Sequence, residues 1–208
     1  MALKEIFLLA LGLVLLFGCT GPAEEIPETG EEMNETEETT VSEPTEEIAV
    51  FETSKGTFEI TLNREKSPIT VENFVTYVNS GFYDGTIFHR VIPSFMIQGG
   101  GFTNDATEKE TNAPIVIESN NGLKNVKGAV AMARTMDPNS ATSQFFVNTV
   151  DNAFLDYTPT NPGYTVFGEV TSGMEVVMEI EGVQTANRGQ HQDWPVEDIV
   201  ITKAYMKK

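Results

Sequence analysis

The stretch FHRVIPSFMIQGGGF, residues 88–102, sets a histidine, an arginine and a glutamine among Phe88, Val91, Ile92, Phe95, Met96 and Ile97. Apolar runs this dense normally enter a core, where a guanidinium that keeps its proton is costly to bury. Arg90 therefore needs a reason to be there. The run reads as two strands, 86–92 and 95–99, followed by a long polar loop from about 103 to 113. Gly99, Gly100 and Gly101 could suggest a phosphate cradle. No Lys-Ser/Thr follows them and no helix begins there, so they read as tight turning.

Upstream, residues 49–53 and 57–62 alternate around Ser54-Lys55-Gly56 and read as a hairpin. A helix then spans 68–80, framed by Ser67 as cap, Pro68 at its first position and Gly81 as the terminating left-handed residue. Val71, Phe74, Val75 and Val78 give it one buried stripe. That stripe is mostly β-branched, so packing more than propensity must hold the helix. Downstream, strands are expected at 115–117, 128–134, 144–149, 165–170 and 198–204, with a second helix near 173–181. Many short strands with two helices argue for a mainly β fold, a closed or nearly closed barrel plugged by the helices.

The remainder of the 208 residues divides sharply by composition. Lys4 precedes a twelve-residue apolar run from Ile6 to Phe17. That is too short for a span of about 20 residues and suits a secretory core of roughly 7–15. The run stops at Leu16-Phe17-Gly18-Cys19, and Cys19 is the chain's one cysteine. This resembles the lipobox of prokaryotic lipoproteins, with residues 1–18 as signal peptide and Cys19 as the lipidated residue. The alternative is an ordinary signal peptide or anchor that contains a thiol. With one cysteine there is no intramolecular disulfide, so an exported domain must be stable by packing. From Thr20 to Glu47 the chain holds eleven glutamates and no Lys or Arg. Such a stretch cannot offset its ordering entropy and reads as a disordered tether spanning about 30 Å as a coil. Asn34-Glu35-Thr36 matches an N-glycosylation acceptor. Residues 48–208 carry 12 basic and 19 acidic side chains, within a formal net charge of -18 for the chain. That balance argues against nucleic acid and against adsorption to anionic lipid headgroups.

Conventional catalytic patterns are absent from the sequence. No Cys-x-x-Cys or His-Glu-x-x-His occurs, and only His89 and His191 exist, so no metal or cofactor is expected. No Gly-x-Ser-x-Gly elbow supports a serine nucleophile.

FHRVIPSFMIQGG, AMARTMDPNSATSQFFVN (131–148), NAFLD (152–156) and GYTVFGEV (163–170) resemble, in order and spacing, the cyclophilin family of peptidyl-prolyl cis-trans isomerases. The likeness runs over essentially all of 48–206, and MARTMDPNSATSQFF with HQDWPVEDI (191–199) is similar to the bacterial and archaeal branch. It implies a closed eight-stranded antiparallel β-barrel capped by two α-helices, with one shallow groove for an X-Pro dipeptide. The barrier to rotation about that bond is about 18–20 kcal/mol, and the uncatalysed change takes tens to hundreds of seconds. At its top, conjugation is lost and the proline nitrogen regains a lone pair. A donor aimed at that nitrogen bonds the twisted state and finds little to bond in the planar one. By the family's pattern Arg90 is that donor, with Gln98 holding it and a substrate carbonyl, and Phe95 beside them.

The resemblance further implies an apolar seat for the ring from Phe95, Met96, Phe146 and Leu155, closed by Phe154 and Tyr164. Ala133, Arg134 and Gln144 would line the groove for the flanking peptide, partly through backbone groups; if Arg134 makes its contact through backbone, its side chain is free to vary. Met96 and Gln98 share strand parity, so both can face the groove while Ile97 points into the barrel. His89, of opposite parity to Arg90, is expected to be a structural, hydrogen-bonded histidine, and Trp194 a packing residue. Many eukaryotic members have Trp where this chain has Phe154, whose ring offers no N–H, so cyclosporin binding is expected to be weak. They commonly have His where Tyr164 follows the inserted 157–162, and Asn where Arg134 stands.

The expectation is thus a monomeric, lipid-tethered isomerase of proline-containing polypeptides at the outer face of a prokaryotic cytoplasmic membrane. Its rivals are a groove that binds proline peptides without turnover, which would need the seat but not Arg90, and a surface scaffold supported only by the acidic stalk.

Overall fold

A computed structural model describes residues 46–208. The leader-like segment, Cys19, Asn34 and the acidic stretch up to residue 45 lie outside the described residues. The first hairpin forms as its alternation predicts, with β1 (Ile48–Thr53) and β2 (Gly56–Leu62) joined across Ser54-Lys55. Helix α1 (Pro68–Asn79) follows, then β3 (Thr86–Ile92), β4 (Met96–Thr103), β5 (Ala129–Met132) and β6 (Phe145–Asn148). A single 3-10 turn, η1 (Ala153–Leu155), precedes β7 (Val166–Ser172) and helix α2 (Met174–Glu181). The chain ends with β8 (Thr185–Arg188), β9 (His191–Pro195) and β10 (Ile201–Met206).

Eight strands form one antiparallel sheet in the order β10-β1-β2-β7-β5-β6-β4-β3. Its two ends meet through the bridge Ile87–Val200 and the bonds Phe88 N to Ile199 O, 3.0 Å, and Gly85 N to Ile201 O, 2.9 Å. The barrel is therefore nearly closed, sealed by a few bonds where a full ladder would need longer strands. Inside lie Phe51, Phe58, Phe74, Phe88, Phe145 and Phe167, all buried. Phe74, from α1, meets Phe167 at 4.8 Å and Phe145 edge-on at 5.6 Å, so the helix is driven into the barrel's end like a plug. Val177 and Ile180 of α2 join the same core.

Strand alternation sends every second residue outward into a second apolar cluster. Ala129 and Ala131 of β5, Phe146 of β6 and Met96 of β4 belong to it, while Val130, Val147 and Ile97 face the barrel core. The period of two is what creates a surface outside the core for a ligand.

Four details differ from the sequence reading. Residues 115–117 make no strand: Ile115 forms one bridge to Ala141, and side chains of Asn139 and Thr165 take the N–H groups of Ile117 and Glu118. Gly99–Gly101 is not a turn but part of β4, beside two register shifts against β3. A Cβ at Gly100, whose φ is +82°, would lie 2.8 Å from Tyr83, so close packing explains the glycine. Ser67 makes no side-chain cap; its hydroxyl donates to Val166 O, and Glu118 caps α1 by accepting from the N–H groups of Ile69 and Thr70. A carboxylate at that end also suits the helix dipole. Finally, the β8–β9 hairpin was not expected, because its strands are polar and largely exposed.

Candidate active-site groove

On the outer face of β3, β4, β5 and β6 a groove of about 240 Å³ is lined by Arg90, Phe95, Met96, Gln98, Ala133, Arg134, Phe146, Leu155 and Tyr164. The floor is apolar and buried, from Met96, Phe146 and Leu155. Arg90 stands at one side with its side chain 42% exposed. A half-solvated guanidinium resolves the question its setting raises: it projects from the barrel and pays no full burial penalty.

A file of polar side chains runs from Arg90 along the groove. Arg90 Nη1 donates to Gln98 Oε1 at 3.5 Å, Gln98 Nε2 to Gln144 Oε1 at 3.0 Å, and Gln144 Nε2 to Glu108 Oε1 at 3.4 Å. Gln144 thus supports Gln98 and does not itself line the groove. Phe154 is also outside the lining; it is 66% exposed and stacks on Phe95 with ring centres 5.6 Å apart.

Arg134 uses its side chain, so the condition under which it would be free to vary does not hold. Its Nε and Nη2 donate to Gly163 O at 3.0 and 2.8 Å, and Nη1 donates to Thr135 O at 2.8 Å. The guanidinium lies 4.5 Å from the Tyr164 ring centre, and Tyr164 meets Phe146 edge-on at 5.6 Å. Arg134 thus holds Gly163, which follows residues 157–162, and packs on Tyr164 at the groove.

Beneath Phe95 and η1 lies a buried amide network that sequence reasoning missed. Asn152 Nδ2 donates to Phe95 O and Asn148 Oδ1, and Asn148 Nδ2 donates to Asn125 Oδ1 and Ala129 O. Asp156 accepts from the backbone and side chain of Asn125. These bonds tie Phe95 and Leu155 to a common frame. Buried amides in VNTVDNAF were the available signal, since such groups must be paired. Asp193, 4.0 Å from Arg90 Nε, was likewise unread.

His89 faces away from Arg90, buried against Phe102 at 4.7 Å and Trp194 at 5.9 Å. Its Nδ1 has no hydrogen-bond partner among the described residues, so the bonding expected of a structural histidine is missing at that atom. The β8–β9 hairpin covers it with rings in place of polar partners. Burial, then His191 and Arg90, push its pKa down to about 4. Trp194 is a buried packing residue whose Nε1 donates to Asp198.

A larger depression of about 350 Å³ between Thr61, Leu123, Val126 and Glu169 has no comparable set of directed donors beside an apolar floor. The chemistry available therefore centres on Arg90: an apolar seat of proline size with a cation and amide groups at its edge. That can bind and polarise an imide without a nucleophile.

Residues 48–206 match the family model for cyclophilin type peptidyl-prolyl cis-trans isomerases. The chain is 57% identical over 155 residues to the peptidyl-prolyl cis-trans isomerase cyp18 of Streptomyces antibioticus, covering 73% of this chain and 93% of that one. It is 52% identical over 157 residues to peptidyl-prolyl cis-trans isomerase B of Escherichia coli, covering 74% and 96%. Among solved structures it resembles a cyclophilin type isomerase of Cryptosporidium parvum, with TM-score 0.68, 26% identity, and coverage of 78% and 98%. A structure of that protein in the presence of the dipeptide Ala-Pro is similar at TM-score 0.67, with 26% identity and coverage of 77% and 99%.

Proposed function

The chain belongs to the cyclophilin-type family of peptidyl-prolyl cis-trans isomerases, and we propose that the groove beside Arg90 is where it turns X-Pro bonds. The proline ring sits on Phe95, Met96, Phe146 and Leu155, with Tyr164 and Phe154 closing the rim. Arg90 donates to the imide nitrogen as the bond twists, while Gln98 orients Arg90 and a substrate carbonyl. Ala133, Arg134 and Gln144 meet or support the flanking peptide.

Only a bond made in the twisted state accelerates rotation, and an arginine fork beside an apolar seat supplies one. The single observation that carries the reading is the position of the Arg90 fork, bonded to Gln98 at the edge of that seat. Loss of one such directed donor lowers turnover by about 10²–10³-fold in other enzymes. Arg90→Ala is therefore expected to slow isomerisation of an X-Pro peptide by about that factor, with its circular dichroism and melting unchanged. Full turnover in the variant would remove Arg90 from the mechanism.

We further propose that the protein works outside the cytoplasmic membrane on exported clients, held by lipid on Cys19. What supports this is the apolar run ending at that cysteine and the acidic stretch after it. The reading has the domain act as a monomer, since Arg90, Gln98 and the apolar seat all lie in one groove of a single chain. It also has cyclosporin bind weakly, because Phe154 offers no N–H.

A further inference from the structure

We propose that Asp193 is a positioning residue for Arg90, an inference that rests on the catalytic reading of that arginine. Arg90 is half-exposed and its bond to Gln98, at 3.5 Å, is at the limit of hydrogen-bond length. A long side chain so lightly held would sample several rotamers, and catalysis by a directed donor needs one. The Asp193 carboxylate lies 4.0 Å from Nε, an edge of the fork different from the Nη1 edge that Gln98 holds. Two restraints on two edges fix the plane of the guanidinium.

The backbone is arranged to put that carboxylate there. β8 and β9 pair regularly at Ala186–Trp194, then shift register before Arg188–His191, so Asp193 sits at a bulge. Its φ is +58°, in the left-handed region that aspartate and asparagine tolerate better than most residues. Bulges beside active sites commonly re-aim a side chain. The next residue, Trp194, is buried, packs on Phe102 and His191, and is bonded to Asp198. Arg188 covers the indole at 5.0 Å and donates to Asp198 and to Asn104 O. The hairpin is thus anchored to the barrel at the residue beside Asp193. That anchor gives an otherwise polar, exposed hairpin a role at the groove.

Asp193→Asn is the suitable variant, because it removes the charge and keeps a residue at ease at positive φ. Exposed ion pairs are weak, so kcat/KM at low salt is expected to fall about two- to five-fold. The loss should lie in kcat with KM unchanged, as for an interaction used only in the transition state. Raising salt to 1 M should bring wild type toward the variant, since screening then acts over about 3 Å. The Nε–H resonance of Arg90 should show a lower order parameter in the variant, a readout independent of turnover.

An unchanged kcat, an increased kcat, or an unaltered Nε–H order parameter would each overturn the proposal. The increase would mean that the carboxylate competes with substrate for Arg90. Arg90→Ala run in parallel separates the two failures. If it is inactive while Asp193→Asn is normal, only the positioning role is lost; if it is active, the catalytic reading itself is lost.

Discussion

At the scale of single residues, the groove depends on what is missing as much as on what is present. A Cβ at Gly101 would lie 2.5 Å from Gln144 Cγ and 2.7 Å from its Nε2. Gln144 lies over that bare backbone to reach Gln98, which in turn meets Arg90. Gly101→Ala should therefore push the half-buried Gln144 side chain aside from Cγ outward and break the polar file at its middle. The expected result is a loss of kcat/KM of about ten-fold, one amide bond's worth of about 1–1.5 kcal/mol, with little change in melting temperature. Isomerisation and thermal unfolding of the variant measure the two sides. A large fall in stability with normal specific activity would mean that the glycine serves packing alone, as Gly100 does against Tyr83.

At the scale of elements, the β8–β9 hairpin covers the outside of β3 at His89, next to the point where Arg90 borders the groove. Beneath it His89 is buried, and its pKa is pushed down to about 4 from an ordinary 6.5 by burial first, then by His191 and Arg90. Unfolded chains take up that proton near pH 6.5, folded ones only near 4. The contribution is present in full above 6.5 and lost as pH falls toward 4, about 3 kcal/mol across that window. His89→Phe keeps the stack on Phe102 and removes the titration, so its denaturation midpoint should fall less than wild type's between pH 6.5 and 4. Activity should stay flat from about pH 6 to 9 in both, because no group invoked in the groove titrates there; parallel acid curves would show that His89 does not govern this window. The hairpin was also the element least legible in the sequence. Thr185–Arg188 and His191–Pro195 lack the apolar alternation that revealed β1 and β2, and Trp194 is the one strong anchor between them. Residues 115–117 misled in the opposite direction, because Ile-Val-Ile has strand composition but finds side-chain partners in place of a ladder. The groove's floor and Arg90 were legible because motif and strand parity agree there. The clamp of Arg134 on Gly163 and Tyr164, the Asn125-Asn148-Asn152 network and Asp193 were not, since each depends on residues brought together from distant parts of the chain.

At the scale of the whole molecule, the barrel separates the first described residues from the groove. In the sheet order β1 lies four strands from β6 either way round, so the described residues begin on the side of the barrel opposite the groove's central strand. Glu47 is fixed there by two bonds from Arg64, whose third arm holds Glu72 of α1, and that contact lowers the pKa of the Glu47 carboxyl. The first described residues are thus held to the domain away from the groove. If the tether is a lipid on Cys19, a host expressing the full chain with a labelled fatty acid should yield a labelled protein in the membrane fraction. Cys19→Ser should then lose both label and membrane retention, while isomerisation measured on the released protein equals wild type's, because Cys19 lies outside the residues that build the groove. Membrane retention without label in wild type would point to an uncleaved apolar anchor, and release without label to an ordinary signal peptide. Either result would overturn the lipid reading and leave the isomerase intact.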